Sequence, residues 1–389
     1  MKLIFVTNFL TPHQLPLAEF FYNKFGKDYC LIETAKKEDS IPIGWKQDGD
    51  FKFVVSFENF SKNTKYYIDL ITQADIVITG SAPDFLIKER LKERKLTFKY
   101  SERVYKKKCP WYEIPLRAIK YYFQFKRHKS LYLLCASAYT SSDYAKTGTF
   151  LNKTFKWGYF PETKIYDIET LISKKEKNSI LWAARIIDWK HPELALEIAR
   201  RLKNDGYDFM LNIIGTGDME EKIAYSIKDL GLQDSVKILG SMSPHEVRKH
   251  MENSQIFLMT SDRKEGWGAV LNEAMNSGCV VVANSAAGSA PYLISDGENG
   301  FLYNEENIDD MYKKVKLLLD NPEFSKRFGE KAYYTITEQW NAENAAKRFF
   351  ELSKNLLSGK SGKDLYENGV CSFADPINDN WYKNKDGET

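Results

Sequence analysis

Residues 256–283 read IFLMTSDRKEGWGAVLNEAMNSGCVVVA, and the fold is decided there. Ile256–Thr260 is an apolar run of strand length, and Val280–Ala283 is another. Between them Ala269–Ser277 has the composition of a helix, and Gly278 stands where a left-handed residue ends one. Strand, helix and strand in that order make the repeating unit of an α/β sheet.

The alternation continues upstream. Ile180–Ala184 reads as a strand and His191–Asn204 as a helix, with Pro192 in its first turn and Leu194, Ile198 and Leu202 on one face. Phe209–Ile214 is a strand running into Gly215-Thr216-Gly217, Met219–Leu230 a helix ending at Gly231, and Val236–Leu239 a strand. Ser243-Pro244-His245-Glu246 is a capping box with Pro at the first helical position. The first half repeats the pattern. Strands are expected at Lys2–Thr7, Tyr29–Glu33, Phe51–Phe57, Asp75–Gly80 and Leu131–Ser137, and helices at Leu15–Lys24, at Tyr66–Ala74 and from Pro83 as a first-turn proline. Both halves therefore read as doubly wound, Rossmann-like α/β domains that leave a cleft, with ligands at the carboxyl ends of the strands. Trp157–Lys164, with Gly158 and Pro161, lacks periodicity, Asp167–Lys177 is polar and charged, and together they read as the connection. The expected division is 1–160, 161–340 and 341–389, the last being helix Asn341–Leu357 and an irregular tail from Ser358, packed back on the first domain.

Bulk properties agree. A chain of 389 residues suits two domains, and 43% hydrophobic with 28% charged residues is ordinary for a globular enzyme. No run approaches the ~18–20 apolar residues of a membrane span. Met1–Leu10 lacks a signal peptide's basic region and cleavage site, so a cytoplasmic location is expected. The five cysteines are scattered without C-x-x-C spacing, which speaks against a disulfide framework or a zinc site, and Cys279 is expected to be buried. Charge is uneven. Leu86–Ser130 holds 15 Lys and Arg against 4 Glu, a local +11 in a chain of net +3, which leaves −8 for the rest. Trp111, Tyr112, Tyr121, Tyr122, Phe123 and Phe125 are interleaved there. That mixture suits an anionic surface such as phospholipid headgroups, a lipid pyrophosphate or nucleic acid, or else a solvated helix face over ordinary core aromatics.

Three loops can do chemistry. Glu265 and Glu273 bracket a helix start that carries Gly266 and Gly268. Backbone N–H groups at such a start can face an anion, since no Cβ blocks the approach. A carboxylate one or two turns into the helix can accept both hydroxyls of a ribose, and the loop carboxylate can accept those of a sugar. Arg185 and Lys190 share the loop after a strand, and a guanidinium fork with an ammonium suits a diphosphate whose charge grows as it leaves. Taken alone, each also fits a solvated surface. Gly215-Thr216-Gly217-Asp218 is not a dinucleotide fingerprint, because Glu220 occupies the third glycine position; an oxidoreductase is a poor fit. Asp48-Gly49-Asp50 reads as a turn rather than a metal-diphosphate motif.

Together these features resemble glycosyltransferase family 4, whose members have the GT-B fold of two facing Rossmann-like domains. The resemblance runs from about Ile180 to Trp340. It rests on the Arg-x4-Lys loop, Gly-Thr-Gly-Asp, the E-x7-E segment, Ala287-Gly288-Ser289, Asp296-Gly297-Glu298-Asn299-Gly300 and Trp340-Asn341-Ala342-Glu343-Asn344. It implies that Arg185 and Lys190 neutralise the donor diphosphate and that Glu273 holds the ribose. Glu265, with the backbone of Gly266 and Trp267, would hold the transferred sugar. Gly215 and Gly268 are further donor-site positions, and Ser241 and Met242 would meet the base. Retention of configuration is implied, with no cofactor and no catalytic metal. The chain departs from the family in three ways, one being that the family's usual mid-domain His has no clear counterpart. Pro291 is followed by Tyr292 rather than Glu, and Asn8–Gln14 replaces a Gly-Gly loop after the first strand. In that loop His13 is the candidate for positioning acceptor or donor phosphate, and Thr11, Gln14 and Glu102 are assigned to the acceptor.

The expected activity is transfer of a sugar from a nucleoside-diphosphate sugar, UDP before GDP, to a glycan acceptor, lipid-linked, in bacterial surface polysaccharide synthesis. The basic segment would dock on the inner face of the cell membrane; nucleic acid is not an expected partner. Alternatives are a nucleotide-sugar epimerase of the same fold and a non-catalytic glycan-binding subunit.

Overall fold

The structure, a computed structural model, describes residues 1–36, 49, 51–304 and 307–383. The turn expected at Asp48-Gly49-Asp50 falls on Asp48 and Asp50, which lie outside the described residues. Two compact units divide the chain: Met1–Glu162 with Asn341–Asn378, and Thr163–Trp340 with the tail from Asp379 on.

Among the described residues of the first unit, the sheet has seven strands: β1 (Leu3–Thr7), β2 (Tyr29–Glu33), β3 (Val54–Val55), β4 (Ile76–Thr79), β5 (Thr97–Ser101), β6 (Leu131–Cys135) and β7 (Thr154–Lys156). Their order is β3-β2-β1-β4-β5-β6-β7, all parallel. β1 and β4 are buried at every position, as strands covered on both faces must be. The expected strand at Phe51–Phe57 is shorter. Ser56 turns the chain by accepting a hydrogen bond from the Asn59 N–H, and Phe57–Lys62 is a helix. Pro83 is not inside a helix; it caps a 3-10 turn, Asp84–Ile87. Helix Ala342–Leu357 is capped by Asn341 and sends Phe349 among Phe21, Phe98 and Trp157. Burying that ring contributes ~1.5–3 kcal/mol, which accounts for the helix joining the first unit. The tail then divides. Residues 371–374 exchange main-chain hydrogen bonds with Thr154 and Lys156, covering the edge of β7, whereas Tyr382 reaches Asp296 and Lys314 of the second unit.

The second unit has six parallel strands among its described residues: β8 (Ser179–Ala183), β9 (Met210–Ile214), β10 (Val236–Gly240), β11 (Ile256–Met259), β12 (Val280–Asn284) and β13 (Phe301–Tyr303), in the order β10-β9-β8-β11-β12-β13. The capping box is formed: Ser243 Oγ accepts from the Glu246 N–H and the Glu246 carboxylate accepts from the Ser243 N–H. Gly278 is left-handed at φ 67° and Cys279 is buried. Among the described residues no helix is long and apolar enough to cross a membrane.

Candidate functional site

In the second sheet, chain order reverses at β8: β9 and β10 lie on one side, β11 to β13 on the other. A ligand site is expected outside the carboxyl ends of the strands at such a reversal. Arg185 and Lys190 follow β8, and Glu265 follows β11, its direct neighbour.

Close packing of main chain fixes the first loop. Gly215 N–H donates to Gly240 O at 2.8 Å, and Ile186 N–H donates to Thr216 O at 2.9 Å. A Cβ on Gly215 would sit 1.9 Å from Ala184 O, and one on Gly217 2.4 Å from Ile186 O. The two glycines are therefore explained by the approach of this turn to the backbone that carries Arg185.

Arg185 is exposed, with its guanidinium 5.7 Å from the centre of the Trp189 ring. Lys190 lies 4.4 Å from the same ring and donates to Glu265 Oε2. Both members of that ion pair are 11% exposed. The loop is pinned from below: the Trp182 indole N–H donates to Thr260 Oγ1 at 2.7 Å, and the Thr260 hydroxyl donates to Lys190 O at 2.6 Å. The Asp262 N–H donates to Trp189 O, tying the loop after β11 to the loop after β8.

His191 makes a second tie, one that the sequence reading missed. It sits at φ 50°, with Nδ1 2.7 Å from Glu193 Oε1 and Nε2 3.7 Å from Asp262 Oδ2. The carboxylates of Asp262 and Glu193 raise its pKa from 6.5 to about 10. A raised folded-state pKa gives stability that is full below pH 6.5 and fades as pH climbs to about 10. His191→Asn keeps a residue that tolerates the left-handed backbone and removes the charge. Thermal unfolding across pH 6 to 10.5 is expected to show a gap between wild type and this variant that is widest at low pH and narrows through the upper half of the range. A gap that widens with pH overturns the assignment.

Glu273 lies in helix Ala269–Asn276, which Gly268 opens at φ 86°. Its carboxylate is 3.9 Å from Arg248, whose guanidinium is buried and also donates to Glu273 O and Asn276 Oδ1. Arg248 went unread because it sits mid-helix in a charged stretch with no motif of its own. The Trp267 side chain is fully buried, donating to Asn272 Oδ1 and packing on Tyr292 and Trp340. Only its main chain can meet a ligand. Tyr292, where the sequence departs from the family's Glu, stacks on Trp340 at 18° and belongs to this aromatic cluster. Ser241 is exposed and Met242 half-buried, just beyond β10.

The first sheet reverses between β1 and β4. There a cavity of about 530 Å³ gathers Thr11, His13, Gln14 and Glu102 with Lys99, Arg103 and Tyr159. The Tyr159 hydroxyl donates to Glu102 Oε1 at 2.5 Å, and Lys106 pairs with Glu102 at 2.7 Å. The His13 ring stacks on Tyr159, 6.0 Å between centres at 7°. Burial lowers the His13 pKa to about 4, so the imidazole is neutral at pH 7. A neutral ring suits a hydroxyl better than a phosphate. Lys99, Arg103 and Tyr159 were not foreseen. β5 is Thr-Phe-Lys-Tyr-Ser inside the basic segment, where the run of cations hides the alternation of a strand.

Solved structures with the same fold support the two-sheet description. A protein from Anabaena, HepE, crystallised with UDP, superposes with a TM-score of 0.68 at 15% identity, over 92% of this chain and 100% of that one. The fold is therefore GT-B. An uncharacterised glycosyltransferase of Haemophilus influenzae is 29% identical over 203 residues, 50% of this chain and 57% of that protein. The poly(ribitol-phosphate) alpha-N-acetylglucosaminyltransferase of Staphylococcus aureus is 30% identical over 169 residues, 43% of this chain and 34% of that protein. The matches thus span about half of the first relative and a third of the second. Residues 166–335, the stretch that carries Arg185, Lys190, Glu265 and Glu273, match the family model of group 1 glycosyl transferases.

Proposed function

We propose that this chain is a retaining glycosyltransferase that moves a sugar from a nucleoside-diphosphate sugar, UDP before GDP, to a lipid-linked glycan of a bacterial surface polysaccharide. The observation that carries the reading is the pairing of Lys190 with Glu265 at the reversal of the second sheet, beside exposed Arg185 on a shared Trp189 ring. The Staphylococcus relative's name supports sugar transfer, and the UDP complex of the Anabaena protein supports the donor class.

In this reading the diphosphate offers Lys190 a second anion, which releases a Glu265 oxygen for the hydroxyls of the sugar. Glu273, steadied by Arg248, accepts the ribose hydroxyls. The bond from the anomeric carbon to the β-phosphate oxygen breaks, and the acceptor oxygen bonds to that carbon on the same face. Its proton passes to the departing phosphate. Arg185 and Lys190 stabilise the charge that grows there, the kind of interaction whose loss costs ~10²–10³ in kcat. The neutral His13 ring and Glu102 bind hydroxyls of the acceptor in the first unit's own cavity. No divalent ion takes part.

Thermal unfolding with UDP, GDP, ADP and CMP, each with and without EDTA, tests the donor site. A nucleotide at one hundred times its Kd adds about 2.7 kcal/mol to the folded state. UDP is expected to give the largest rise in Tm, unchanged by EDTA. No rise with any nucleoside diphosphate overturns the reading.

A further inference from the structure

The basic segment resolves into two faces. Helix Ile114–Tyr121 continues through a wider turn, Tyr122–Lys126, and follows a 3-10 turn at Trp111–Glu113. One face carries Tyr121 and Phe125, which are buried against Tyr144 and Phe150. The other carries Tyr112, Leu116, Ile119 and Phe123, at steps of four, three and four residues, the spacing of a single helical stripe. These four are 62%, 73%, 60% and 58% exposed, and Trp111 beside them is 81% exposed. An apolar stripe of this kind left in water marks an interaction surface.

Its surroundings decide the partner. Lys106, Lys107, Lys108, Lys120, Lys126, Arg127 and Lys129 are all exposed around the stripe. Between Arg103 and Ser130 the one acidic residue, Glu113, is already paired with Arg117 at 2.7 Å. The face is therefore apolar at its centre and cationic at its rim. A second copy of the chain would bring an equally cationic rim against it. A bilayer of anionic lipid presents the opposite charge and an apolar interior beneath it.

We propose that the stripe Tyr112, Leu116, Ile119 and Phe123, with Trp111 at its end, inserts into the headgroup region of an anionic membrane, held there by the surrounding lysines and Arg127. Insertion is shallow and lies in the membrane plane. It uses no residue of the donor site and stands apart from the proposed activity.

Co-sedimentation of the full chain with vesicles tests it. The vesicles are pure phosphatidylcholine, or phosphatidylcholine with 30 mol% phosphatidylglycerol. Binding is expected only to the anionic vesicles, and it weakens as salt is raised. Leu116→Glu with Ile119→Glu should reduce it at least tenfold, with circular dichroism and Tm unchanged because both side chains already face water. Lys107→Glu with Lys108→Glu should reduce it several-fold, while Arg185→Ala leaves it intact. Equal binding to both vesicle types overturns the proposal. So do full binding by the Leu116/Ile119 variant and a concentration-dependent dimer that those two substitutions abolish.

Discussion

Arg185→Ala is expected to lower kcat by about 10²–10³ while leaving Tm within about 1 °C of wild type. The two halves of that result have separate causes. Arg185 is exposed, and the aromatic contact it makes is with Trp189 in its own loop. Truncating an exposed side chain of this kind shifts stability by no more than ~0.5 kcal/mol. In the proposed reaction the same guanidinium faces the leaving diphosphate, and charge that develops only in the transition state makes the loss appear in kcat rather than in KM. Arg185→Lys keeps the charge and loses the planar fork, so its kcat should fall between wild type and alanine. Initial rates at saturating donor, with circular dichroism as the folding control, check both variants. Near-normal turnover by the alanine variant overturns the role given to this loop.

The second unit was legible because its signals are local. Ser243 with Glu246, Gly278 after Asn276, and Pro192 after a strand each announce a helix end within a few residues, and each stands where it was read. Strand β13 and the helices Ile308–Asp320 and Pro322–Tyr334 are not among the elements expected from the sequence. There the sequence offers a short strand and charged amphipathic helices without a motif. In the first unit the strand expected over Phe51–Phe57 is cut short by Ser56, whose cap starts the helix Phe57–Lys62. The site divides in the same way. Arg185, Lys190 and Glu265 each fit a solvated surface when taken alone and stand out only through the combined resemblance, while the ring shared by the two cations and the ion pair are tertiary facts. The contact of His191 with Asp262 and that of Arg248 with Glu273 join residues far apart in sequence, so no spacing could reveal them.

Gly215→Ala should have the largest effect on stability, and on donor binding with it. Gly215 follows β9 at φ 139°, a region closed to L side chains, and its missing Cβ would lie 1.9 Å from Ala184 O. That neighbour is main chain held by β8, since the Ala184 N–H donates to Ile214 O at 3.1 Å. No rotamer change can relieve the overlap; the ends of β8 and β9 must separate. Gly206 provides the comparison, because it is also left-handed, at φ 79°, yet has no heavy atom within 4 Å of an added Cβ. Gly206→Ala carries backbone strain alone, ~1–2 kcal/mol. Gly215→Ala adds the clash and is expected to cost ~3–5 kcal/mol. Urea unfolding of both variants at constant m-value measures the difference. Separating the strands also displaces the backbone that aims Arg185, so the rise in Tm with UDP should vanish in Gly215→Ala and persist in Gly206→Ala. Equal stability losses, or an undiminished UDP response in Gly215→Ala, would show that the glycine turn does not set the loop's position.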